Sequence, residues 1–304
     1  MEDRPTHVTR HRSTSPATRA LGAVGGLILG LGVLAALAFA IVGRDEAQAP
    51  PTAATPTGPP PKPVLKIIFP EGFTIDEMSQ RIKAVNEIAE EKRNLTPALD
   101  PRRYTKLAES LTPPAGFPYK GDVPNLEGFL FPATYEFFED TSSKELIDKQ
   151  LEAFMRAWGQ LDLEYSKSRN LNAYDVLIIA SMIEKEVQVP KERPLVAAVI
   201  YNRLRAGFPL GIDATIRYGL GIPPTEPILQ SQLESDSPYN TRCPTCTGLT
   251  PTPIANPGLA SLQAAAHPAK VDYLYFIRKA DCKSHFFTAS EQEFLDYPRD
   301  GLKC

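Results

Sequence analysis

Histidine is scarce in this chain, with four in 304 residues, and two of them, His7 and His11, precede a long apolar run. The other two are His267 and His285. Neither belongs to an HExxH pair or a Ser/His/Asp set, and there is no glycine-rich phosphate loop. His267 stands at a predicted helix C-terminus, where a cation suits the dipole, and His285 in a predicted hairpin. Both read as structural residues, so no metal site and no cofactor is expected. Charge of one sign is also lacking: the net charge is -3, which argues against a general nucleic-acid binder. What remains is carboxylates, amides and aromatics, the equipment of a carbohydrate-cleaving site.

Cysteine is nearly as rare, and Cys243, Cys246, Cys282 and Cys304 all lie C-terminal to the apolar run. Only one CxxC pair is present, which disfavours a four-thiolate zinc site. An even count outside the cytoplasm favours disulfides. Cys243–Cys246 with Cys282–Cys304 is the expected pairing, because the first bridge needs no long-range closure.

Leu21 to Val42 is free of charged residues and long enough to cross a bilayer, which takes about 20 residues. Arg4, Arg10, Arg12 and Arg19 precede it, which predicts a cytoplasmic N-terminus and an extracytoplasmic remainder. A cleaved signal peptide is the alternative, disfavoured by the length of the run. Residues 47–63, AQAPPTAATPTGPPPKP, form a Pro-rich spacer that prefers extended polyproline II and reaches roughly 50 Å. The expected organisation is a cytoplasmic tail (1–19), a transmembrane helix (20–43), a linker (44–63), a small module (64–118) and a second domain (119–304).

Val64–Phe69 reads as a strand. Thr74 with Glu77 reads as a capping box opening a helix to about Val85, and a second helix is expected from Asp100 to Leu111. Thr112-Pro-Pro-Ala-Gly-Phe-Pro118 breaks the pattern. Further helices are predicted over Lys144–Trp158, from Ala173 with Asn172 as cap, over Pro194–Leu204 before Gly207, and from Asn256-Pro257 to His267. Tyr273–Ile277 and His285–Thr288 should pair as a hairpin. Helices with a C-terminal hairpin argue for an α+β fold.

The helix from Ala173 carries no charge between Val176 and Ile183, then ends in Glu184-Lys185-Glu186 before Pro190. A carboxylate at the margin of a core has a raised pKa, which suits proton donation near neutral pH. On this pattern alone, two solvated glutamates at a fraying helix end are the plainer reading.

Several stretches together resemble the membrane-anchored endolytic murein transglycosylase family (MltG, YceG-like). They are Leu126-Glu-Gly-Phe-Leu-Phe-Pro-Ala-Thr-Tyr135, Ala180-Ser-Met-Ile-Glu-Lys-Glu186, Val199-Ile-Tyr-Asn-Arg-Leu204, Leu210-Gly-Ile-Asp-Ala-Thr215, Ser237-Pro-Tyr-Asn-Thr241, and Ile254-Ala-Asn-Pro-Gly258 through Ala265-Ala-His-Pro268 to Tyr273-Leu-Tyr-Phe276. The resemblance implies a LysM-like module at 64–118 and a catalytic domain at 119–304. It implies lyase cleavage of the MurNAc-β-1,4-GlcNAc bond in peptidoglycan, leaving 1,6-anhydroMurNAc ends. Partners would be glycan strands, the membrane, and peptidoglycan synthases or division proteins. A water-using muramidase, or an inactive anchored glycan-binding or division-scaffold protein, are the alternatives.

Residues two apart on a helix point about 200° apart, so one of the two glutamates should face a cleft. Glu186 shares its face with Ile179, Met182 and Ile183 and is the expected catalytic acid; Glu184 is the second candidate or a supporting carboxylate. Glu127, Asp213, Thr215, Tyr239 and Asn240 match other family motif positions and should line the groove or brace the helix. Asn202 and Arg203 should hold their helix to the core. Ala133, Val187 and Gly211-Ile212 depart from the family pattern.

Overall fold

The computed structural model of this chain describes residues 61–119 and 121–299. The expected tail, the apolar run at 20–43, nearly all of the spacer and Cys304 lie outside them. Among the described residues no helix is long and apolar enough to cross a membrane.

Strand β1 (Leu65–Ile68) leads into α1 (Ile75–Arg93) and α2 (Pro101–Ser110), and β2 (Thr134–Phe137) pairs back antiparallel on β1. Leu65 and Ile67 lie opposite Phe137 and Tyr135, and all four are buried, the period of two that a one-sided sheet requires. The Thr74–Glu77 capping box opens α1. That helix runs past Val85 to Arg93, because Ala89 continues the buried stripe and Glu, Ala and Lys favour helix; Asn94, with φ of 52°, ends it.

β2 went unread in the sequence, and its pairing with β1 reaches across the expected boundary at 118/119. Thr112–Pro118 has a linker's composition, yet Phe117 is buried edge-on against Phe129 at 5.0 Å. The small β-α-α-β unit is therefore completed by Tyr135 and Phe137, and it shares one core with the helices C-terminal to it.

Helix α3 (Ser143–Trp158) has a capping box of Ser142 and Glu145, and a short α4 (Glu164–Ser168) precedes α5 (Ala173–Glu186). A 3-10 turn, Pro190–Glu192, links α5 to α6 (Arg193–Ala206), which ends at Gly207. Next come α7 (Asp213–Leu220), α8 (Gln230–Leu233) and α9 (Leu259–Ala266), then the hairpin β3 (Tyr275–Arg278) and β4 (His285–Thr288), and α10 (Glu291–Asp296). The arrangement is α+β, with two separate two-stranded sheets among the described residues.

α5 is the centre of the fold. From Ala173 to Ile183 every residue but Asp175 is buried, so the helix is apolar all round and packed on all sides. Asn172 and Asp175 form its capping box. The buried Ser181 hydroxyl donates to the Ile178 carbonyl at 2.7 Å and accepts the Ile254 N–H at 3.0 Å. That bond fixes the 250–256 segment along the helix.

Asn256 is not the cap of α9, as the sequence pattern predicts; Gly258 occupies that position. Asn256 is fully buried instead. Its Oδ1 accepts the N–H groups of Gly128 and Leu130, and its Nδ2 donates to the Phe73 carbonyl and to Glu127. A buried amide with every polar atom partnered replaces a surface cap.

Candidate active site

The last turn of α5 sends its two glutamates to different places. Glu184 turns toward α9, where its carboxylate accepts the Gly258 N–H at 3.0 Å and lies 3.9 Å from the Arg193 guanidinium. Its side chain is 6% exposed and Arg193's is 13% exposed. Both carboxylate oxygens are therefore taken by the frame. Glu186 turns the other way and lines an open groove of about 1400 Å³. Glu184 is absent from that lining.

The groove is walled by α1, α7, the 239–242 segment, the β3–β4 hairpin and α10. Tyr218, Tyr239, Tyr275, Phe276 and Phe294 give it aromatic faces, the mixture of apolar walls and a few placed polar groups typical of ligand sites. Tyr218 and Tyr239 pack with ring centroids 5.3 Å apart. Gly219 permits this, because a Cβ there would come within 2.5 Å of Tyr239.

Burial raises the Glu186 carboxyl above the ordinary carboxylate range. The Arg278 guanidinium and His285 pull it back down, Asp213 adds to the rise, and Arg242 offsets it. Arg278 also donates from Nη2 to the Glu186 carbonyl at 3.3 Å, satisfying one of the orphan acceptors at the helix end. A half-buried acid in this setting keeps its proton to higher pH than a solvated carboxylate does.

Glu127 lines the same groove but is 2% exposed. It accepts from the Ile75 N–H at 3.2 Å, the Tyr218 hydroxyl at 3.2 Å and Asn256 Nδ2 at 2.7 Å. Burial pushes its carboxyl up to about 8 despite those donors, with Asp76 and Glu77 adding to the rise. Its contacts tie α1, α7 and the 250–256 segment together.

Asp213, the first residue of α7, lines the groove and is ion-paired with Arg242. Tyr239 lines it too, its hydroxyl 2.8 Å from Thr252 Oγ1. Thr215 and Asn240 do not reach it. Thr215 is fully buried, donating to the Ile212 carbonyl at 2.7 Å. Asn240 is 3% exposed and donates to the Leu233 and Ser235 carbonyls. Both brace the groove wall from behind. Asn202 donates to the Val271 and Tyr273 carbonyls, and Arg203 to those of Leu274 and Leu210, so the two residues tie α6 to the segment that precedes β3 and to the chain before α7. Arg242, Arg278 and Tyr218 went unread in the sequence; single arginines and tyrosines in unpatterned segments carry no spacing signal.

The Cys243–Cys246 disulfide is present, with Cα atoms 5.0 Å apart, and Cys282 is disulfide-bonded as well. Among the described residues no group of three or more His, Cys, Asp or Glu is placed to hold a metal ion.

An α+β fold with a groove lined in part by a half-buried glutamate at the end of its central helix defines the class. Within that class, the chain belongs to the YceG-like family, whose sequence model matches residues 53–299. It is 42% identical over 156 residues to the endolytic murein transglycosylase of Bacillus subtilis (strain 168), covering 51% of this chain and 42% of that protein. It is 34% identical over 261 residues to the endolytic murein transglycosylase of Streptococcus pneumoniae (strain ATCC BAA-255 / R6), covering 79% of this chain and 45% of that one. The crystal structure of a yceG-like protein from Listeria monocytogenes superposes with a TM-score of 0.58 at 31% identity, over 75% of this chain and 74% of that one. The chain thus spans less than half the length of the curated relatives it matches.

Proposed function

We propose that this chain is an endolytic peptidoglycan lytic transglycosylase with Glu186 as its catalytic acid. The observation that carries the reading is the divergence of the two glutamates: one is consumed by the frame, the other stands half-buried in the groove. The names of the relatives support the substrate class.

In this mechanism Glu186, protonated, donates to the glycosidic oxygen between MurNAc and GlcNAc as the C1–O bond breaks. The resulting carboxylate takes the proton from the sugar's own 6-hydroxyl, whose oxygen bonds to C1 and closes the 1,6-anhydro ring. The nucleophile is intramolecular and gains from proximity. The carboxylate also stabilises the developing oxocarbenium, and no second carboxylate is needed. Because the first step needs the acid form, the rate falls as pH rises through the Glu186 pKa. Burial sets that limb above the ordinary 4.5. Tyr239 and Asp213 are read as glycan contacts; Glu127, Thr215, Asn240 and Glu184 are read as supports.

The remaining parts of the proposal concern the whole protein. Residues 20–43 anchor it to the cell membrane with the N-terminus cytoplasmic, on the strength of the uncharged run and the arginines before it. The Pro-rich segment spaces the catalytic part from the membrane. The unit β1-α1-α2-β2 serves as a LysM-like glycan-binding module, supported by its compact two-helix, two-strand form. That placement suits termination of nascent strands beside peptidoglycan synthases and division proteins.

Mass spectrometry of sacculi digested by the full-length chain tests the reaction. Anhydro ends are expected. Reducing ends would make it a water-using muramidase, and binding without cleavage would make it a scaffold.

A further inference from the structure

A buried, hydrogen-bonded Glu–His pair stands directly behind the groove wall, and the reaction as written does not use it. Glu192 closes the 3-10 turn after α5, and His285 opens β4; they are 5% and 3% exposed. His285 Nδ1 lies 2.8 Å from Glu192 Oε2, and the His285 backbone N–H reaches both carboxylate oxygens at 3.2 and 3.1 Å. The carboxylate can only accept, so Nδ1 carries the proton. Nε2 is buried with no hydrogen-bond partner among the described residues, and the ring packs edge-on against Phe276 and Phe287. An apolar pair would hold these elements together at lower desolvation cost. A buried polar pair instead specifies one arrangement.

That arrangement has a visible consequence. His285 is the ladder partner of Arg278, so fixing one fixes the other. Arg278 is the residue that donates to the Glu186 carbonyl and lines the groove beside it. The hairpin is thus clasped at two points, Arg278 on the end of α5 at Glu186 and His285 on the 3-10 turn at Glu192.

We propose that Glu192 and His285 are a positioning pair for the reaction: they seat the hairpin so that Arg278 holds the end of α5 and Glu186 in its reactive direction. The inference rests on the reading of Glu186 as the acid. The charged groups acting on Glu186 are Arg278 from β3, His285 from β4, Asp213 from α7 and Arg242 from the loop after α8. Removing the imidazole takes away one of the groups that hold the Glu186 carboxyl down.

Three variants of the full-length chain test this against sacculi, with folding checked by thermal melts and circular dichroism. His285→Gln keeps an N–H for Glu192 but removes the ring that holds the Glu186 carboxyl down; the alkaline limb of kcat is expected to move to higher pH. His285→Phe keeps the packing but loses the hydrogen bond; kcat is expected to fall about tenfold at a KM within about twofold of wild type. That loss should not add to the loss caused by Arg278→Ala, since both act on one geometry. If His285→Phe fails to fold, His285→Gln carries the test alone. Wild-type kcat and an unmoved limb in the folded His285 variants, or fully additive losses, overturn the inference. Glu186→Gln is run in parallel. If it stays active, the acid assignment falls and this inference with it; if it is dead while His285→Gln keeps the wild-type limb, the inference alone falls.

Discussion

Asn256 Nδ2 donates to Glu127 Oε1 across 2.7 Å, joining two motifs that stand 129 residues apart. The two residues are 0% and 2% exposed. Between them they satisfy the entry of α1, the backbone at Gly128 and Leu130, and the hydroxyl of Tyr218 on the groove wall. The groove is therefore hung on a buried polar network, where each missing partner strands another group.

Asn256→Ala removes two donors and two acceptor bonds at once. Each buried group left without its partner costs about 1–3 kcal/mol. We expect a loss of several kcal/mol, the range in which a domain approaches its total stability. Chemical denaturation of the variant measures it; a loss comparable with that of an exposed asparagine would contradict the network.

Glu127 makes stability depend on pH in a definite direction. Its carboxyl has an ordinary value of 4.5 and about 8 in the fold. Below 4.5 both states hold the proton and the contribution is fully present. Between the two values the unfolded chain releases the proton while the folded one keeps it, so stability falls as pH rises, and the contribution is lost through pH 8. Glu127→Gln cannot titrate and leaves the Ile75 N–H or Tyr218 with a poorer partner. It should melt below wild type near pH 5, with a gap that narrows toward pH 9. Parallel melting curves across that range would contradict the buried acid.

Glu184→Ala should separate structure from chemistry. It strands the Gly258 N–H and takes the carboxylate from Arg193, which keeps only its bond to Ser261 Oγ, and breaking such a pair costs about 3–5 kcal/mol. The expected result is a lower melting temperature with turnover per folded molecule within a few-fold of wild type. A thermally normal but inactive Glu184→Ala would exchange the roles of the two glutamates.

Cys243 and Cys246 lie between two anchors, the Thr241 carbonyl that accepts from Gly211 and the Thr247–Pro209 bridge. So short a loop gains only about 2 kcal/mol from closure. Replacing both cysteines by serine should lower stability by about that amount and leave the cleavage product unchanged, as a melt and product mass spectrometry would report. A change of product would assign the loop to the chemistry.

Much of this organisation was legible in the sequence because it rests on local rules. Thr74 with Glu77 is a capping box readable by spacing alone, Asn172 is a readable cap, and the uncharged stretch of α5 marks a central helix. The choice of Glu186 rested on an apolar face, but the structure separates the glutamates by a different cause. Gly258 and Arg193 claim Glu184, and nothing in the Glu-Lys-Glu spacing encodes partners that distant. β2 escaped because Thr134–Phe137 is four residues long and comes after a proline-rich stretch; only its pairing with β1 makes it a strand. Asn256 escaped because Asn-Pro before a helix looks like a cap, and its true partners lie far along the chain.

The most direct measurement of the central claim is the release of 1,6-anhydro ends from sacculi by the Glu186→Gln variant of the full-length chain, set against its thermal melt. The account predicts a folded protein whose turnover has fallen at least a hundredfold, about the contribution of a positioned general acid. A folded Glu186→Gln variant that still produces anhydro ends at the wild-type rate would contradict it.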